Sequence, residues 1–306
     1  MRVSRDLKGA AAGAVALTIG NFDGVHRGHQ AMLARLADAA ADLDLAPAVL
    51  TFDPHPREFF AAEGAPARLS TLRAKLEAFR SFGVAQVWVA RFDARLARLP
   101  AEAFVTDVLE RALCARWLLV GNDFRFGQGR RGDLDLLRAQ PRAFTVETMR
   151  TVIVDGERAS STVVRSALAA GELARAAALL GRSYAISGRV AHGRKLGVSL
   201  GFPTANVPLR HRPALSGIFT VRVHGLPGEP HGGVASLGVR PTLGMKGKPV
   251  LEVFLLDFDQ SIYGQRITVE FLAKLREEVR YPDLDALARQ IGTDVAQARE
   301  YFAAQP

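Results

Sequence analysis

The sequence is short of several residue types, and each shortage excludes a class of protein. Its 306 residues include one cysteine, Cys114, so no disulfide forms within the chain and a disulfide-stapled secreted fold is excluded. No apolar run approaches the length of a membrane span, and none near the N-terminus is long enough for a signal peptide. We therefore expect a cytoplasmic protein without a membrane partner.

A cluster of basic residues with interleaved aromatic side chains is also missing. The net charge of +9 is spread over the chain: residues 1–182 carry 25 basic and 20 acidic side chains, and residues 183–306 carry 15 and 11. Nucleic-acid-binding proteins concentrate positive charge in a patch or stripe, so we expect no nucleic acid partner. Mild basicity in both halves suits small phosphorylated ligands.

What the sequence does contain is enough apolar material for two domains. Apolar residues make up 48% of the chain and the mean hydropathy is +0.07, as in ordinary globular proteins. A length of 306 residues is long for one hydrophobic core and comfortable for two.

The first half alternates short apolar runs with amphipathic patterns. Runs at residues 14–19, 46–52, 84–90 and 117–120 predict strands, and residues 30–43, 71–82, 101–115 and 132–139 predict helices. Such alternation is typical of βαβ units around a buried parallel sheet. Cys114 falls in the third helical pattern, where we expect a buried, inert thiol. Residues 166–182, interrupted at Gly171, predict two short helices that close this domain.

Polar clusters follow three of these strands at the point where each strand ends. Residues 20–29 follow the first strand, residues 51–56 the second and residues 121–133 the fourth. In parallel sheets, ligands bind at the carboxyl ends of the strands, near the point where the strand order reverses. We therefore expect these three segments to share one ligand site.

Residues 20–29 are the most constrained of the three segments. Glycines permit a tight turn and a close approach of the backbone to a ligand, and the start of a helix presents N–H groups and a positive dipole end to an anion. His26 and His29 share one face of the first helical turn. The segment therefore predicts a polyphosphate site that stabilises developing negative charge.

This segment resembles the HxGH signature of the nucleotidylyltransferases, in the G-x-F-D-G-x-H-x-G-H form of the bacterial FAD synthetases. The resemblance extends to the T-F-x-P-H-P loop at residues 51–56, the V-G-x-D-F-x-F-G-x-x-R-x-G-D loop at 120–133 and the S-S-T-x-x-R element at 160–165. It implies a doubly wound, Rossmann-like α/β domain over residues 1–182, in which His26, His29 and Arg165 stabilise the transferring phosphate. The implied ATP and phosphate ligands are Gly20, Asn21, Phe22, Asp23, Gly24, Gly28, Asp123, Ser160, Ser161 and Thr162.

The texture of the sequence changes from Tyr184 onward. Glycine and β-branched residues become more frequent, and alternating patterns at 217–224 and 266–271 predict strands of a small antiparallel β-barrel. A final amphipathic helix over 283–302 closes the chain, with Asp283 or Asp285 as its start signal.

A glycine-rich segment and a Pro-Thr-Ala-Asn sequence lie near the start of the predicted barrel. The oxygens of Thr204 and Asn206 suit a hydrated Mg²⁺ that bridges a nucleotide. The pattern G-x-V-x-x-G-x-x-x-G-x-x-L-G-F-P-T-A-N-V over residues 188–207 resembles the riboflavin kinases, as do residues 217–219, 237–242, 251–253 and 263–264. The implied ATP and flavin ligands are Gly188, Gly193, Lys195, Gly197, Gly201, Pro203, Thr204 and Asn206.

Glu252 is the only charged residue in the apolar run 250–256. A carboxylate in such a run is costly unless it is paired or used, and the resemblance implies that it is the general base for the riboflavin 5′-hydroxyl. The two halves together imply a bifunctional enzyme, with an adenylyltransferase domain at 1–182 and a kinase domain at 183–306. It uses ATP and Mg²⁺ to convert riboflavin to FMN and FMN to FAD, and the sequence leaves open a homo-oligomer.

Several alternatives remain at this point. The enzyme could transfer nucleotide to another phosphorylated metabolite, the basic chain could bind RNA or DNA, or His26, His29 and His55 could hold zinc. Simpler structural roles also exist for three of the motifs: residues 160–165 as a helix N-cap, residues 188–206 as a hairpin, and Glu252 as an edge-strand residue that points to water.

Overall fold

The computed structural model describes residues 1–7, 13–61, 64–139, 141–193, 197, 200–228, 230–239 and 249–304. The chain divides into two compact units. Unit 1 comprises Met1–Pro66 and Ser70–Ser160, and unit 2 comprises Ala67–Leu69 and Ser161–Pro306. Within the described ranges, no helix is long and apolar enough to cross a bilayer.

Unit 1 is built on a six-stranded parallel sheet in the order β1-β4-β3-β2-β5-β6. Its strands are β1 Arg2–Ser4, β2 Val15–Ile19, β3 Ala46–Phe52, β4 Gln86–Ala90, β5 Ala115–Gly121 and β6 Thr145–Met149. A short hairpin of β7 Ile153–Val154 and β8 Glu157–Arg158 follows. The helices are α1 Arg27–Asp42, α2 Pro56–Phe60, α3 Leu72–Ser81, α4 Ala94–Ala97, α5 Ala101–Ala103 and α6 Leu134–Arg138.

The sheet is buried on both faces, as its near-continuous apolar strands predict. Along β2, Val15, Leu17 and Ile19 pack into one hydrophobic cluster, whereas Ala16 packs into the cluster on the opposite face. This alternation follows from the two-residue period of a strand. The Rossmann-like parallel sheet predicted for this half is confirmed.

The strand order reverses between β2 and β5. The chain runs outward from β2 through β3 to β4 and then returns to place β5 on the other side of β2. Residues 20–29 leave the carboxyl end of β2 and residues 121–133 leave that of β5, so both lie at the position where such sheets bind ligands.

The third predicted helix differs from the expectation for residues 101–115. Helix α5 continues as a π-helical segment, Phe104–Ala112, that buries Phe104, Val108 and other apolar side chains. Cys114 lies beyond this segment with a φ of 50° and is half-buried. The expectation of a helical, buried thiol is therefore wrong, because the chain turns at Cys114 to enter β5.

Unit 2 contains two helices and a six-stranded antiparallel sheet that curls into a nearly closed barrel. The helices are α7 Ser161–Ala169 and α8 Leu173–Leu180, and the strands are β9 Ala185–Arg189, β10 Thr204–Pro208, β11 Gly217–His224, β12 His231–Val239, β13 Pro249–Leu255 and β14 Arg266–Arg276. The strand order is β10-β13-β12-β11-β14-β9. The Ala191 N–H donates to the Asn206 carbonyl oxygen at 2.8 Å and links the two edges. The predicted antiparallel barrel is confirmed.

The final helix, α9 Leu284–Ala303, covers one outer face of the barrel. Asp283, one of the two predicted start signals, caps its start by accepting a hydrogen bond from the Ala286 N–H at 2.7 Å. Asp294 is almost completely buried, and both of its carboxylate oxygens accept from the Arg276 guanidinium on β14, at 2.8 and 2.6 Å. This bidentate pair fixes the helix to the sheet.

We predict that Asp294→Ala lowers the free energy of unfolding of the barrel unit by about 3 kcal/mol, because it leaves Arg276 in a partly buried place without its partner. Urea unfolding followed by far-UV circular dichroism measures this loss. Asp257→Ala is the matched control, since Asp257 makes an equally short bidentate pair with Arg299 at the surface, where such pairs contribute little. Equal losses in the two variants would contradict the assignment.

Candidate functional site

The turn between β2 and α1 has an unusual backbone. Phe22, Gly24 and Val25 have φ values of 50°, 83° and 43°, and a positive φ is strained for side chains such as Phe and Val. Both Phe22 and Val25 are buried in the hydrophobic cluster on one face of the sheet. Burial of these two side chains offsets the local strain and sets the path of the turn.

Helix α3 and Ser70, which lies two residues before that helix, make hydrogen bonds and ring contacts that stabilise the turn. The Asp23 carboxylate accepts hydrogen bonds from the Ser70 N–H at 3.0 Å and the Ser70 hydroxyl at 3.2 Å, while the Gly24 N–H donates to Ser70 Oγ at 2.9 Å. The Lys75 ammonium donates to the Asn21 carbonyl oxygen at 3.1 Å. Phe79 meets the Phe22 ring edge-on, with centroids 5.2 Å apart.

These contacts separate the predicted ligands of the turn into residues that shape the turn and residues with polar atoms available to a ligand. Asp23 is buried and its carboxylate is bonded to Ser70, so in this structure it shapes the turn. The Oδ1 atom of Asn21 and the Nδ1 atom of His29 are buried and make no hydrogen bond within the described part of the chain. Buried polar atoms without a partner are costly, so both atoms are available to a polar ligand.

The two histidines of the turn lie against each other. His26 precedes α1 as its N-cap residue, and its ring stacks on that of His29 with centroids 3.7 Å apart and planes 24° apart. The Phe22 ring lies 4.9 Å from the His29 ring. Removal of the His29 ring from water lowers its pKa well below the ordinary value, and the nearby His26 and Lys75 lower that pKa further. His29 is therefore a neutral imidazole at neutral pH.

Gly28 lies between these histidines where a side chain would not fit easily. A Cβ atom there would be 3.1 Å from the Ala159 carbonyl oxygen and 3.1 Å from Cε1 and Nδ1 of His26. The segment that follows β8 thus packs directly against the start of α1, and with it comes Ser160, one of the predicted phosphate ligands.

The loop after β5 is held by two ion pairs. The Asp123 carboxylate accepts from the Arg158 guanidinium at 2.7 Å, and this hydrogen bond lowers the pKa of Asp123. The Asp133 carboxylate caps α6 by accepting from the Leu136 N–H at 3.1 Å, and it also accepts from Arg125 at 2.9 Å. Of these two carboxylates, Asp133 caps a helix, whereas Asp123, the predicted ligand, does not.

The loop after β3 carries aromatic residues. His55 caps α2, its Nδ1 accepting from the Arg57 N–H at 3.1 Å. The rings of Phe52, Phe59 and Phe60 surround that of Phe92, with centroids 5.9, 5.7 and 5.8 Å from its centroid, and the four are here called the aromatic cluster. Phe60 is 69% exposed, so the cluster offers an open apolar surface at the carboxyl ends of β3 and β4. Phe124 and Phe126 instead stack on each other, and Phe126 is buried.

The Ser-Ser-Thr-x-x-Arg element is divided between the two units. Ser160 ends unit 1, whereas Ser161, Thr162 and Arg165 lie in unit 2. Helix α7 begins at Ser161, two residues before the predicted start near residue 163. Within unit 2, Nε of Arg165 donates to the Ala67 carbonyl oxygen at 2.7 Å.

In the barrel, strand register brings the predicted kinase residues together. Glu252 on β13 pairs with Asn206 on β10 and with Ser236 on β12, so the three side chains share one face of the sheet. Strand β13 lies between two neighbours, and the alternative of an edge-strand Glu252 is wrong. Ser236 also donates to a carboxylate oxygen of Glu278 at 3.0 Å.

The glycine-rich segment packs onto this row of residues. A Cβ atom on Gly193 would overlap the Asn206 carboxamide, and one on Gly197 would overlap the Phe202 carbonyl oxygen and lie 3.3 Å from the Thr204 hydroxyl. The Asn206 amide nitrogen donates to the Thr204 carbonyl oxygen at 3.1 Å, which turns the carboxamide oxygen to the opposite side. Gly188 lies against Val207, and Gly201 has a φ of 81° beside Pro203. Lys195 lies outside the described residues.

The described side chains do not meet the requirements of a metal site built from protein ligands alone. Among the residues that the structure describes, no three histidine, cysteine, aspartate or glutamate side chains are grouped as metal ligands, so the zinc alternative has no support. Thr204 and Asn206 contribute only neutral oxygens, which suits a Mg²⁺ that takes its remaining ligands from nucleotide phosphates and water.

Three residues near the turn were not singled out by their sequence patterns: Ser70, Lys75 and Arg158. Lys75 gave a detectable signal, because it lies in the apolar stripe of the predicted helix 71–82 together with Leu72, Leu76 and Phe79. Ser70 and Arg158 gave none, because their partners are 47 and 35 residues away in the chain.

Two known protein families match the two halves of the chain separately. The family model for FAD synthetase matches residues 9–163, and that for riboflavin kinase matches residues 180–302. The chain is 47% identical over 290 residues to the bifunctional riboflavin kinase/FMN adenylyltransferase of Escherichia coli K12, covering 94% of this chain and 92% of that one. It is 50% identical over 285 residues to the protein of that name from Pseudomonas fluorescens, covering 92% and 91%.

A solved structure has a similar fold. A crystal structure from Streptococcus pneumoniae, described as a macrolide-efflux protein, matches with a TM-score of 0.80 and 26% identity, over 97% of this chain and 98% of that chain.

We predict that Gly28→Ala lowers the rate of FAD formation from FMN and ATP by about tenfold, because the new methyl group displaces the His26 ring or the Ala159 backbone. A steady-state assay with product separation measures the change. Gly13→Ala serves as the control, since a Cβ atom at Gly13 meets nothing within 4 Å. Unchanged FAD formation in Gly28→Ala would show that this close packing is not required.

Proposed function

Because the chain belongs to the bifunctional riboflavin kinase/FMN adenylyltransferase family, we propose that its two reactions use the two sites described above. The enzyme phosphorylates riboflavin to FMN and adenylylates FMN to FAD, which removes the alternative of another phosphorylated acceptor. The observation that carries the division is the pairing of Asn206 with Glu252 in the barrel, in a unit separate from the stacked histidines of the turn.

In the kinase reaction, Glu252 takes the proton from the riboflavin 5′-hydroxyl as that oxygen bonds to the γ-phosphorus of ATP, and ADP leaves. Thr204 and Asn206 would hold a Mg²⁺, which when bound neutralises charge on the nucleotide phosphates. The support is the close packing of two glycines: a Cβ atom on Gly193 would overlap the Asn206 carboxamide, and one on Gly197 would overlap the Phe202 carbonyl oxygen beside the Thr204 hydroxyl. Gly188, Lys195, Gly201 and Pro203 complete the proposed nucleotide and flavin loop.

In the adenylyl transfer, an FMN phosphate oxygen attacks the α-phosphorus of ATP and pyrophosphate leaves. The start of α1 supplies backbone N–H groups and a positive dipole end, and His26 and His29 donate hydrogen bonds to the oxygens where charge develops. We further assign phosphate contacts to Gly20, Asn21, Gly24, Gly28 and Ser160, nucleotide contact to Asp123, and shaping of the turn to Phe22 and Asp23. For Ser161, Thr162 and Arg165, the resemblance to the FAD synthetases is the support for a role in phosphate binding.

The aromatic cluster is our candidate for the seat of the flavin ring in this second reaction. Exposed phenylalanines are uncommon on a protein surface unless they contact something, and a planar isoalloxazine ring stacks well on such side chains. Phe60, at 69% exposure, and Phe59, at 39%, are the exposed members.

We assign the adenylyltransferase domain to residues 1–182 and the kinase domain to residues 183–306, supported by family matches that end at 163 and begin at 180. We also propose a cytoplasmic enzyme without nucleic acid partners, as expected for a chain with one cysteine and dispersed charge. Binding of an oligonucleotide with a steep salt dependence would contradict the second assignment.

We predict that His29→Ala lowers FAD formation by about a hundredfold or more while FMN still accumulates from riboflavin. Glu252→Ala should lower FMN formation by about a hundredfold or more and leave FAD synthesis from supplied FMN intact. Chromatographic separation of riboflavin, FMN and FAD measures both. Glu277→Ala, which removes an exposed carboxylate of the barrel unit, is the control for Glu252→Ala. Loss of both activities in either folded single variant would refute the division into two sites.

We predict that Phe60→Ala raises the KM for FMN in FAD formation by about tenfold, because one apolar contact with the flavin ring is lost. The kcat of that reaction and the rate of riboflavin phosphorylation should change little. Leu43→Ala, which truncates an exposed apolar residue at the far end of α1, is the matched control. An unchanged KM for FMN would place the flavin ring elsewhere.

A further inference from the structure

Lys75 is a buried cation that the two reactions, as described so far, do not use. Its side chain is only 6% exposed, on the inward face of α3 beside the buried Phe79. Lysine is almost never buried to this extent unless its charge is paired or used. The helix therefore retains Lys75 at a cost that a purely apolar residue at this position would avoid.

The Lys75 ammonium is hydrogen-bonded to the backbone of the turn. It donates to the Asn21 carbonyl oxygen at 3.1 Å, and the Thr51 hydroxyl donates to the same oxygen at 3.4 Å. Asn21 is the first residue after Gly20 in the turn that carries His26 and His29. Lys75 thus links the turn to helix α3.

The same ammonium acts on His29 through its charge. Among the described residues, the charged and titratable groups that act on the His29 ring are His26, stacked at 3.7 Å, and Lys75 from α3. Burial is the main cause of the low pKa of His29, and the interactions with His26 and Lys75 lower that pKa further. The nearby Asp23 carboxylate is bonded to Ser70 within the turn.

We propose that Lys75 is a positioning residue for adenylyl transfer: its buried ammonium fixes the Asn21 carbonyl and, through it, the turn that carries His26 and His29. A neutral His29 donates one hydrogen bond to the phosphate without drawing a proton from solvent, and the positive potential comes from the fixed ammonium and the α1 dipole. Lys75 need not touch the nucleotide. The inference rests on the proposed role of His29 and extends it to a residue on another helix.

The test separates the charge of Lys75 from its hydrogen bond. Lys75→Met removes both, and Lys75→Gln keeps a donor for the Asn21 carbonyl without the charge. We expect Lys75→Met to lower kcat for FAD formation by about ten- to a hundredfold, the effect of losing a charged hydrogen bond. In both variants the pKa of His29 rises, so on acidification FAD formation should be lost at a higher pH than in the parent enzyme.

Nuclear magnetic resonance of the full chain with labelled histidine gives an independent readout. In the parent enzyme, the His29 signals should show no protonation over the range where an ordinary imidazole titrates. In Lys75→Met and Lys75→Gln, the pKa of His29 should be higher than in the parent enzyme, because one of its three depressing causes is removed while burial and His26 remain. Lys75→Arg, which keeps the positive charge, should leave the His29 pKa at its parental value. Arg73→Gln, on the exposed face of the same helix, should leave both the titration and the pH profile unchanged.

The outcomes distinguish this inference from the proposed site itself. The rate of FMN formation from riboflavin, measured on each sample, reports whether the chain is folded. If His29→Ala abolishes FAD formation but Lys75→Met and Lys75→Gln leave the pH profile and the His29 titration unchanged, the role of Lys75 is refuted and the site stands. If His29→Ala retains FAD formation, the proposed site is refuted.

Discussion

The backbone of the turn at residues 20–25 is the constraint on which unit 1 depends. Positive φ values at Phe22 and Val25 are not intrinsic preferences of those residues, so tertiary contacts must impose them. Helix α3 supplies the contacts through Phe79 against Phe22 and Lys75 on the Asn21 carbonyl, and Ser70 adds its bonds to Asp23. The turn then places the stacked imidazoles of His26 and His29 at the start of α1. This is the place where we propose that the anion binds, because a helix start with its N–H groups lies at the point where the strand order reverses.

In the barrel unit, strand register and glycine packing, instead of a strained turn, bring the candidate site residues together. There the register of three antiparallel strands places Asn206, Glu252 and Ser236 side by side, and glycines allow the preceding loop to lie against Asn206 and Thr204. The α9 helix is fixed to this sheet by the buried Arg276–Asp294 pair. Both proposed sites therefore combine a few polar side chains with backbone groups, as suits phosphoryl and nucleotidyl transfer, in which positioning and charge stabilisation dominate.

Sequence patterns predicted what depends on local periodicity and motif spacing. They predicted the parallel sheet from the apolar runs, the barrel from alternation after Tyr184, and the Asp283 cap from its place before the last amphipathic helix. They did not predict the Arg158–Asp123 pair or the Ser70 contacts, because long-range partners are set by topology. Cys114 was assigned to a helix because its neighbours have helical spacing, whereas the chain must turn there to enter β5. Lys75 was visible as a lysine in an apolar stripe, but its partner Asn21 was 54 residues away.

The central claim is that the turn before α1 binds the nucleotide for adenylyl transfer. A crystal structure of the complex with FMN and an ATP analogue that carries a methylene group between the α- and β-phosphates tests it most directly, because this analogue cannot release pyrophosphate. The account predicts phosphate density against the first N–H groups of α1, within hydrogen-bond distance of His26 and His29. Nucleotide bound in unit 1 with its phosphates away from these histidines would contradict it.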